Sequence, residues 1–431
     1  MRSMTGEDGY SLVAQGRSIP RPHIPVAPVP KLAPLLRLGP LWGGRGDMVA
    51  SPFDFPHKRA VKDGRSAIYQ ALRLAGIGPG DEVLVPDYHC IAMIVPILAL
   101  GARPVFYAID AELMAQPDAI RPQISKASKA LLVVNYFGFP NRLAACAELC
   151  RAHGLMMIED CAHSLYGRSD GQSLGSFGDY SICSMRKFLP VQDGGLLASA
   201  HHPIDLPPAP KIAWGGALRS FASYAASPAN RGAYALFGLA WAGVKRLIPN
   251  VRAAPDEDFA HEDLASASEQ PKSPPSKSPP SGLPSGLPYG FDAQRAGEGA
   301  DFGAGFWLRQ VDRRALYRRR RAHYQAIIAE ISPYDSKIIR PLKPHLDEDM
   351  VPHMVPLLVE DLSQRFRAME DAALPMQRFG QFLWSGEGQK PGLAADRLSR
   401  HLIQIPCHQD LTARQLDDLL GLLRRLFGGR S

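Results

Sequence analysis

Short apolar runs alternate with amphipathic segments along the chain from about residue 55. An apolar run of a few residues between polar or turn residues predicts a buried strand. The predicted strands are 82–86, 104–109, 130–137, 155–160 and 180–184. Residues 66–76 and 141–154 have the spacing of amphipathic helices, and each segment ends on a glycine. This alternation predicts an α/β fold with a mostly parallel sheet covered on both faces.

The pattern changes in the second half of the chain. Residues 271–290, PKSPPSKSPPSGLPSGLPYG, are too rich in proline, serine and glycine to bury apolar surface, which predicts disorder. A long arginine-rich helix is predicted from about 303 to about 330. The last helix has a capping-box spacing at Thr412 and Gln415. Its leucines form one apolar face, at Leu416, Leu419, Leu420, Leu423 and Leu426.

The chain of 431 residues is long enough for one large and one small domain. We therefore expect a large α/β domain over 55–250 and a smaller C-terminal α+β domain over 303–431. A proline-rich arm over 1–54 precedes the first domain, and a disordered insert over 251–302 separates the two.

Composition and charge narrow the classes of partner. The chain is 45% hydrophobic and 21% charged, which is typical of globular proteins, and its net charge is +7. No basic stripe interleaved with aromatic residues is present, so nucleic acid is not an expected partner. The longest apolar run, 232–244, has 13 residues, whereas a bilayer span needs about 20. It predicts a buried helix, with an interfacial helix as the alternative, and no firm membrane contact is expected.

Cysteine usage indicates a reducing compartment. The six cysteines form no CxxC pair, and most lie in predicted buried strands or helices. This pattern favours free thiols over disulfides or a metal site, and we expect a cytoplasmic protein without metal. The N-terminal residues have no charged-then-apolar signal pattern.

Three polar features lie where predicted strands end or where a helix begins. Asp160 closes the strand 155–160, and Ser184 and Lys187 follow the strand 180–184. The turn 63–67 opens the first helix, whose free N–H groups suit a phosphate. In a doubly wound sheet such positions meet in one ligand crevice.

An acid, a lysine and a phosphate cradle in one crevice are what pyridoxal 5'-phosphate (PLP) requires. The lysine amine forms a Schiff base with the cofactor, and the carboxylate pairs with its pyridinium nitrogen. A lone lysine is ordinarily a solvated surface group and a lone strand-end carboxylate ordinarily a helix cap. The prediction of a PLP site therefore rests on the three features together.

Four segments in this order resemble the DegT-type (DegT/DnrJ/StrS) PLP-dependent sugar aminotransferases of fold type I: GDEVLVPDYHC, IEDCAHSLYG, GSFGDYS and RKFLPVQDGG. The terminal LIQIPCHQDLTARQLDDLLGLLRRL is similar to the closing strand and helix of that family. The resemblance covers about 55–245 and 303–431.

The resemblance implies a role for individual residues. Lys187 would form the Schiff base and carry protons, and Asp160 would hold the pyridine nitrogen. His163 falls where the family places a Gln or His near the phenolic oxygen of the cofactor. The phosphate would be held by Gly64, Arg65, Ser66 and Ser184.

Three departures from the family pattern are visible. Arg65 stands where threonine is usual, and Cys90 stands where an aromatic residue stacks on the cofactor ring. Tyr88 and His89 are therefore candidates to replace that ring. The Asn/Arg segment that the family donates across its dimer interface has no clear match.

The expected function is transfer of an amino group from a donor such as glutamate to a keto-sugar, nucleotide-linked, in cell-surface polysaccharide or amino-sugar biosynthesis. The resemblance implies a homodimer. Arg318 and Arg321, in the cluster 313–323, are candidates to bind an anionic substrate, and a solvated helix face is the alternative. A second hypothesis is a catalytically idle PLP-fold scaffold or regulatory protein, which the missing ring favours and which Lys187 and Asp160 oppose.

Overall fold

A seven-stranded sheet forms the centre of the computed structural model. The structure describes residues 49–189, 191, 194–207, 291–300, 311–384 and 390–428. The strands of the sheet are β1 (His57–Val61), β2 (Glu82–Pro86), β3 (Arg103–Tyr107), β4 (Ser128–Val134), β5 (Met156–Asp160), β8 (Tyr180–Ser184) and β9 (Gly195–Ser199). A separate hairpin consists of β6 (Arg168–Ser169) and β7 (Gln172–Ser173).

The strand order is β1-β9-β8-β5-β4-β2-β3. The five strands from β8 to β3 are parallel, and β9 and β1 are added antiparallel at one edge. The carboxyl ends of the parallel strands therefore lie along the same edge of the sheet, where ligands bind in such folds. This confirms the predicted α/β class with a mostly parallel sheet.

The connecting helices are α1 (Gly64–Leu74), α2 (Ile91–Ala99), the single turn α3 (Pro117–Ile120) and α4 (Leu143–His153). Helix α1 begins at Gly64 because the Asp63 carboxylate accepts the Ser66 N–H at 2.8 Å. Helix α4 ends as predicted at Gly154, which adopts the left-handed conformation with φ of 64°.

A three-stranded antiparallel sheet organises the C-terminal part. Its order is β10 (Ile339–Pro341), β11 (Met354–Val359) and β12 (Leu402–Pro406). Around it lie α5 (Arg313–Ile331), α6 (Leu362–Asp371), α7 (Leu393–His401) and α8 (Ala413–Phe427). The capping box at Thr412 and Gln415 is confirmed, and the leucine face of α8 packs against α5.

Two predicted strands, 82–86 and 180–184, are confirmed with the same bounds, and the other three differ by one to three residues at an end. The strand predicted to reach residue 137 ends at Val134, because the next residues form a turn in which Phe137 has a φ of 58°. The arginine-rich helix begins at Arg313 rather than near 303, where Asp312 caps it by accepting the Ala315 N–H at 2.9 Å.

The predicted arm and insert both reach into the folded part. Residues 49–54, the end of the predicted arm, include the turn Pro52–Asp54, and Asp54 pairs with the buried Arg313 at 2.6 Å. Residues 291–300, part of the predicted disordered insert, are ordered: the ring of Phe291 lies 5.6 Å from that of Tyr69 on α1. This segment is ordered because Phe291 packs against an aromatic side chain of α1.

Several predictions lie outside the described residues: residues 1–48 of the arm, residues 251–290 of the insert and the apolar run 232–244. The domain boundaries stay predictions. None of the helices in the described ranges is long and apolar enough to cross a membrane.

Gly195 allows β9 to pass directly beside the start of α1. A Cβ atom at this position would lie 2.1 Å from the backbone oxygen of Asp63. On the other side of the helix start, a Cβ atom at Gly64 would lie 3.7 Å from Cβ of Ser184. The glycine therefore brings the N-terminus of α1 to the carboxyl end of β8.

We expect Gly195→Ala to lower the free energy of unfolding by about 3 kcal/mol, because the added methyl group overlaps backbone that has no room to move. Chemical denaturation measures this. Gly78→Ala is the matched control, since nothing lies within 4 Å of a Cβ atom there, and its expected change is within about 1 kcal/mol. Equal effects of the two substitutions would contradict the close approach of β9 and α1.

Candidate active site

Asp160 is a buried carboxylate at the carboxyl end of β5. Its side chain is 2% exposed and accepts the Ala162 N–H at 2.8 Å. Burial raises the pKa of Asp160 to about 6, although the Ala162 amide and the charge of Lys187 act in the opposite direction. The site therefore holds a buried acid with a raised pKa, on which the charge of Lys187 acts and which suits a bound cation.

Lys187 lies on the turn Met185–Lys187, directly after β8, and is half-buried. Strands β5 and β8 are neighbours in the sheet, so the lysine and Asp160 share one edge. The lysine also acts on two imidazoles: burial, and then the charge of Lys187, hold the pKa of His163 well below its usual range. The predicted acid and lysine are thus brought together.

His163 is a buried, neutral imidazole that accepts a backbone N–H with one ring nitrogen and carries its proton on the other. It is 5% exposed, and its Nδ1 accepts the Phe137 N–H at 3.2 Å. Since Nδ1 accepts, the proton of the neutral imidazole lies on Nε2, which has no hydrogen-bond partner in the described part of the chain. The Nε2–H group can therefore donate a hydrogen bond to an acceptor oxygen of a ligand.

His353, just before β11, was not predicted. Its ring lies 4.8 Å from that of His163 and 5.5 Å from that of Phe188, which follows the lysine. Its Nδ1 is buried without a hydrogen-bond partner. Burial holds the pKa of His353 well below its usual range, and the charges of Lys187 and Arg320 act in the same direction. The two neutral imidazoles lie side by side next to the lysine.

The backbone of Phe137 joins the two histidines. Its N–H donates to His163, and its carbonyl accepts the His353 N–H at 2.8 Å. The approach requires the next residue to be Gly138, where a Cβ atom would lie 2.4 Å from the backbone oxygen of Val351. This turn therefore docks the start of β11 against the large sheet.

At the start of α1, where a phosphate turn was predicted, the backbone already has a partner. The Ser66 N–H is already bonded to the Asp63 carboxylate, and Arg65 pairs with that carboxylate at 3.2 Å. Burial acts to raise the pKa of Asp63, but Arg65 and Ser66 outweigh it and the pKa lies below its usual value. Gly64 faces Ser184, whose hydroxyl has no hydrogen-bond partner among the described residues.

Tyr88, His89 and Cys90, in the segment after β2, have different surroundings. The ring of Tyr88 is fully buried, and its hydroxyl donates to the Phe379 carbonyl at 2.6 Å. His89 stacks on Phe106 of β3 at 4.9 Å and accepts the Trp384 N–H at 3.0 Å. Strand β3 is three positions from β5, about 14 Å at the usual strand spacing, so the placement of His89 argues against the predicted stacking on a ring paired with Asp160.

Burial lowers the pKa of His89 to about 4, so its ring is a neutral packing group. The packing of Tyr88 between Tyr136 and Phe379 likewise argues against a stacking role. Cys90 is half-buried at the N-cap of α2.

A buried hydrogen-bond network around Glu159, which was not predicted, stabilises the carboxyl end of β5. Successive strand residues face opposite sides, so Glu159 points away from the face of Asp160. Its carboxylate accepts the Asn135 side-chain amide at 2.8 Å and the Gly175 N–H at 2.7 Å. Burial raises the pKa of Glu159 despite these bonds. The network ties β4 and β5 together behind the candidate site.

The arginines of the cluster on α5 have three different surroundings. Arg318 is exposed, as in the alternative of a solvated face. Arg321 donates to the Met350 carbonyl at 2.9 Å and lies over the ring of Tyr317, so it holds a loop. Arg320, between them, reaches the backbone of Lys187.

Residues 52–204 match the DegT/DnrJ/EryC1/StrS aminotransferase family. This range contains the whole seven-stranded sheet and the acid, lysine and helix start described above.

One relative is the UDP-N-acetyl-3-dehydro-alpha-D-glucosamine 3-aminotransferase of Acidithiobacillus ferrooxidans, 36% identical over 148 residues. The match covers 33% of this chain and 40% of that protein. The chain thus spans about two fifths of the length of the curated relatives that it matches.

Solved structures resemble the fold over a longer range. The aminotransferase TlmJ of Streptoalloteichus hindustanus has a TM-score of 0.56 at 20% identity, covering 86% of this chain and 85% of that chain. NtdA of Bacillus subtilis with the bound cofactor PMP has a TM-score of 0.55 at 17% identity, covering 86% and 73%. These likenesses extend the fold of the DegT-type aminotransferases to the C-terminal part.

The buried acid predicts a pH-dependent stability. Because the folded-state pKa lies above the unfolded value, the free energy of unfolding falls as the pH rises from about 4 to about 6 and levels off above that range. In ligand-free protein, Asp160→Asn should therefore raise that free energy by roughly 3 kcal/mol at pH 7 and by roughly 1 kcal/mol at pH 4.5. Urea denaturation at both pH values measures this.

The control is Asp417→Asn, which changes an exposed carboxylate on α8 and should change the free energy of unfolding by less than about 0.5 kcal/mol at either pH. A ligand-free Asp160→Asn variant that is less stable than wild type at pH 7 would contradict the assignment of a buried acid with a raised pKa.

Proposed function

We propose that the chain is a PLP-dependent aminotransferase that transfers an amino group, from a donor such as glutamate, to a nucleotide-linked keto-sugar. The observation that carries this proposal is the meeting of three groups at one edge of the sheet. Asp160 ends β5, Lys187 follows β8, and the start of α1 faces Ser184. They lie within the range that matches the family.

The residues of the site fit PLP. Unpartnered polar atoms surround the lysine: Nδ1 of His353 is buried without a partner, and Nε2 of His163 and the Ser184 hydroxyl have none among the described residues. A buried carboxylate with a raised pKa suits the protonated ring nitrogen of the cofactor. Gly64, Arg65, Ser66 and Ser184 would hold the phosphate. When bound, PLP supplies an electron sink for the group transfer.

The residues of this chain have separate tasks in that reaction. Lys187 would hold the cofactor and would carry a proton at its Nζ atom. Asp160 would keep the proton on the ring nitrogen, and the neutral His163 would donate from Nε2 to an oxygen of the cofactor. Arg65 would place its charge near both Asp63 and the phosphate, because the Ser66 amide is already bonded to the Asp63 carboxylate.

The substrate, assembly and location belong to the same proposal. The relative from Acidithiobacillus acts, by its name, on a UDP-linked 3-dehydro sugar, which supports a nucleotide-linked keto-sugar as acceptor. We infer a homodimer from the resemblance to the family. A cytoplasmic location is supported by the six cysteines, all of which are free thiols.

One observation favours a catalytically idle scaffold. Cys90 stands in place of the stacking ring, and the rings of Tyr88 and His89 are packed elsewhere. A scaffold without cofactor would show no visible absorption band after reconstitution with PLP, whereas the proposed enzyme shows one. A band therefore excludes this second function.

The proposed role of Lys187 is tested by reducing the PLP-loaded protein with borohydride. We expect PLP to be fixed on the peptide that contains Lys187, as detected by mass spectrometry. Lys187→Ala should lose both the fixed cofactor and turnover of a keto-sugar nucleotide with glutamate. Lys187→Arg should lose them equally, because a guanidinium keeps its charge and does not condense with an aldehyde.

Arg73→Ala is a control, since it removes an exposed cation at the C-terminal end of α1. It should leave the fixed cofactor unchanged. Cofactor that remains fixed in Lys187→Ala would place the reactive lysine elsewhere.

A further inference from the structure

Arg320 is a fully buried arginine on the core-facing side of α5. It is 0% exposed. It lies one turn from Leu316 and one turn from Tyr324, at a position where this helix otherwise buries apolar or aromatic side chains. The buried positions of the helix are Arg313, Leu316, Arg320, Tyr324, Ile327 and Ile331.

The guanidinium of Arg320 bonds only neutral acceptors. Its Nη1 donates to the carbonyls of Pro352 and His353 at 3.1 and 3.0 Å. Its Nη2 donates to the Lys187 carbonyl at 3.2 Å, and Nε donates to Oε1 of Gln409 at 2.7 Å. It forms no ion pair with the residues that the structure describes.

Such a cation is costly to bury. Burial lowers the pKa of Arg320 to about 10, although Cys407, Asp410 and Tyr166 act in the opposite direction. The group therefore stays charged at neutral pH. An apolar side chain at a buried ionic position is often neutral or stabilising, so stability alone does not explain an arginine here.

Arg320 contacts the turn Met185–Lys187 (the lysine turn) directly, and Gln409 contacts the residue that follows this turn. Gln409, held by Arg320, donates from Nε2 to the Phe188 carbonyl at 2.9 Å. The guanidinium lies 4.5 Å over the ring of Phe188. The turn after β8 is thus fixed to the segment before β11, which carries His353.

We propose that Arg320 is a positioning residue that fixes the backbone of Lys187 and places a positive charge beside that backbone at neutral pH. The charge favours the uncharged form of the lysine amine, which is the form that reacts with a carbonyl compound. The inference rests on the proposed function of Lys187 and names a residue that controls it.

The charge of Lys187 acts on Asp160, His163 and His353, and a fourth group, Arg320, bonds the backbone carbonyl of the lysine. Asp160 on β5 favours the charged amine. His163 and His353 are neutral, because burial and the lysine itself disfavour their protonation. Arg320 on α5 is the group among these four that opposes the charge of the amine.

The test measures the pH at which Lys187 becomes reactive in the full-length, cofactor-free chain. Acetic anhydride acetylates uncharged amines, and peptide mass spectrometry reads the extent at Lys187 from pH 6 to pH 11. Arg320→Met should raise the midpoint by about one pH unit, because a nearby cation is lost. Arg320→Lys retains the charge and should leave the midpoint near that of wild type.

Arg313→Met is the matched control. Arg313 is buried on the same helix and lies over the ring of Tyr166, but it pairs with Asp54 instead of the lysine turn. This variant should keep the wild-type midpoint. Gln409→Glu provides a second test that retains Arg320, since the new carboxylate neutralises the guanidinium and should also raise the midpoint.

A midpoint in Arg320→Met and Gln409→Glu that equals that of Arg313→Met would overturn the inference. If Arg320→Met does not fold, Gln409→Glu decides alone. The measurement needs no cofactor, so it is independent of the borohydride experiment. Absence of PLP on the Lys187 peptide of the reduced wild-type protein would reject the proposed function, whereas an unchanged midpoint in Arg320→Met and Gln409→Glu would reject only the role of Arg320.

Discussion

The burial of one carboxylate at the end of a parallel strand is the constraint on which the site depends. Asp160 is 2% exposed, its carboxylate accepts a backbone N–H, and its pKa is raised to about 6. Such a group is a cost to the folded protein unless a cation approaches it. Parallel β5 and β8 bring Lys187 to the same edge, and Gly195 lets the start of α1 complete it. The fold therefore holds an acid, a lysine and a helix start in one place.

The C-terminal part completes this edge of the sheet. The turn at Phe137 and Gly138 docks the segment before β11, so that His353 lies against His163. Arg320 fixes the same segment to the lysine turn. Two neutral imidazoles and a buried guanidinium thus lie next to the lysine turn. We infer that these groups balance the carboxylate and keep the lysine reactive.

The parts of the fold that sequence predicted are those with strong local patterns. The strand 82–86 is an unbroken apolar run that is buried throughout, and Asp160 interrupts such a run at its end. Strand β1 has the alternating polar residues of a sheet edge, and α2 contains Pro96, so neither has a clear signal. The run 318–321 consists of four arginines, so its charge alone does not show which of them is buried.

Only the phase of the helix distinguishes Arg320 in that run, because it alone lies four residues from both Leu316 and Tyr324. His353 had no signal of its own, since a histidine in an apolar strand is ordinarily a packed core residue. Its position beside the lysine depends on the long-range docking of the small sheet, which local patterns do not encode.

The response of the absorption band to an amino donor tests the central claim most directly. PLP-loaded protein should have a visible band that L-glutamate removes and that a keto-sugar nucleotide restores, with the aminated sugar appearing in the mass spectrum. A band that is unchanged by glutamate and by a panel of other amino donors would contradict an aminotransferase.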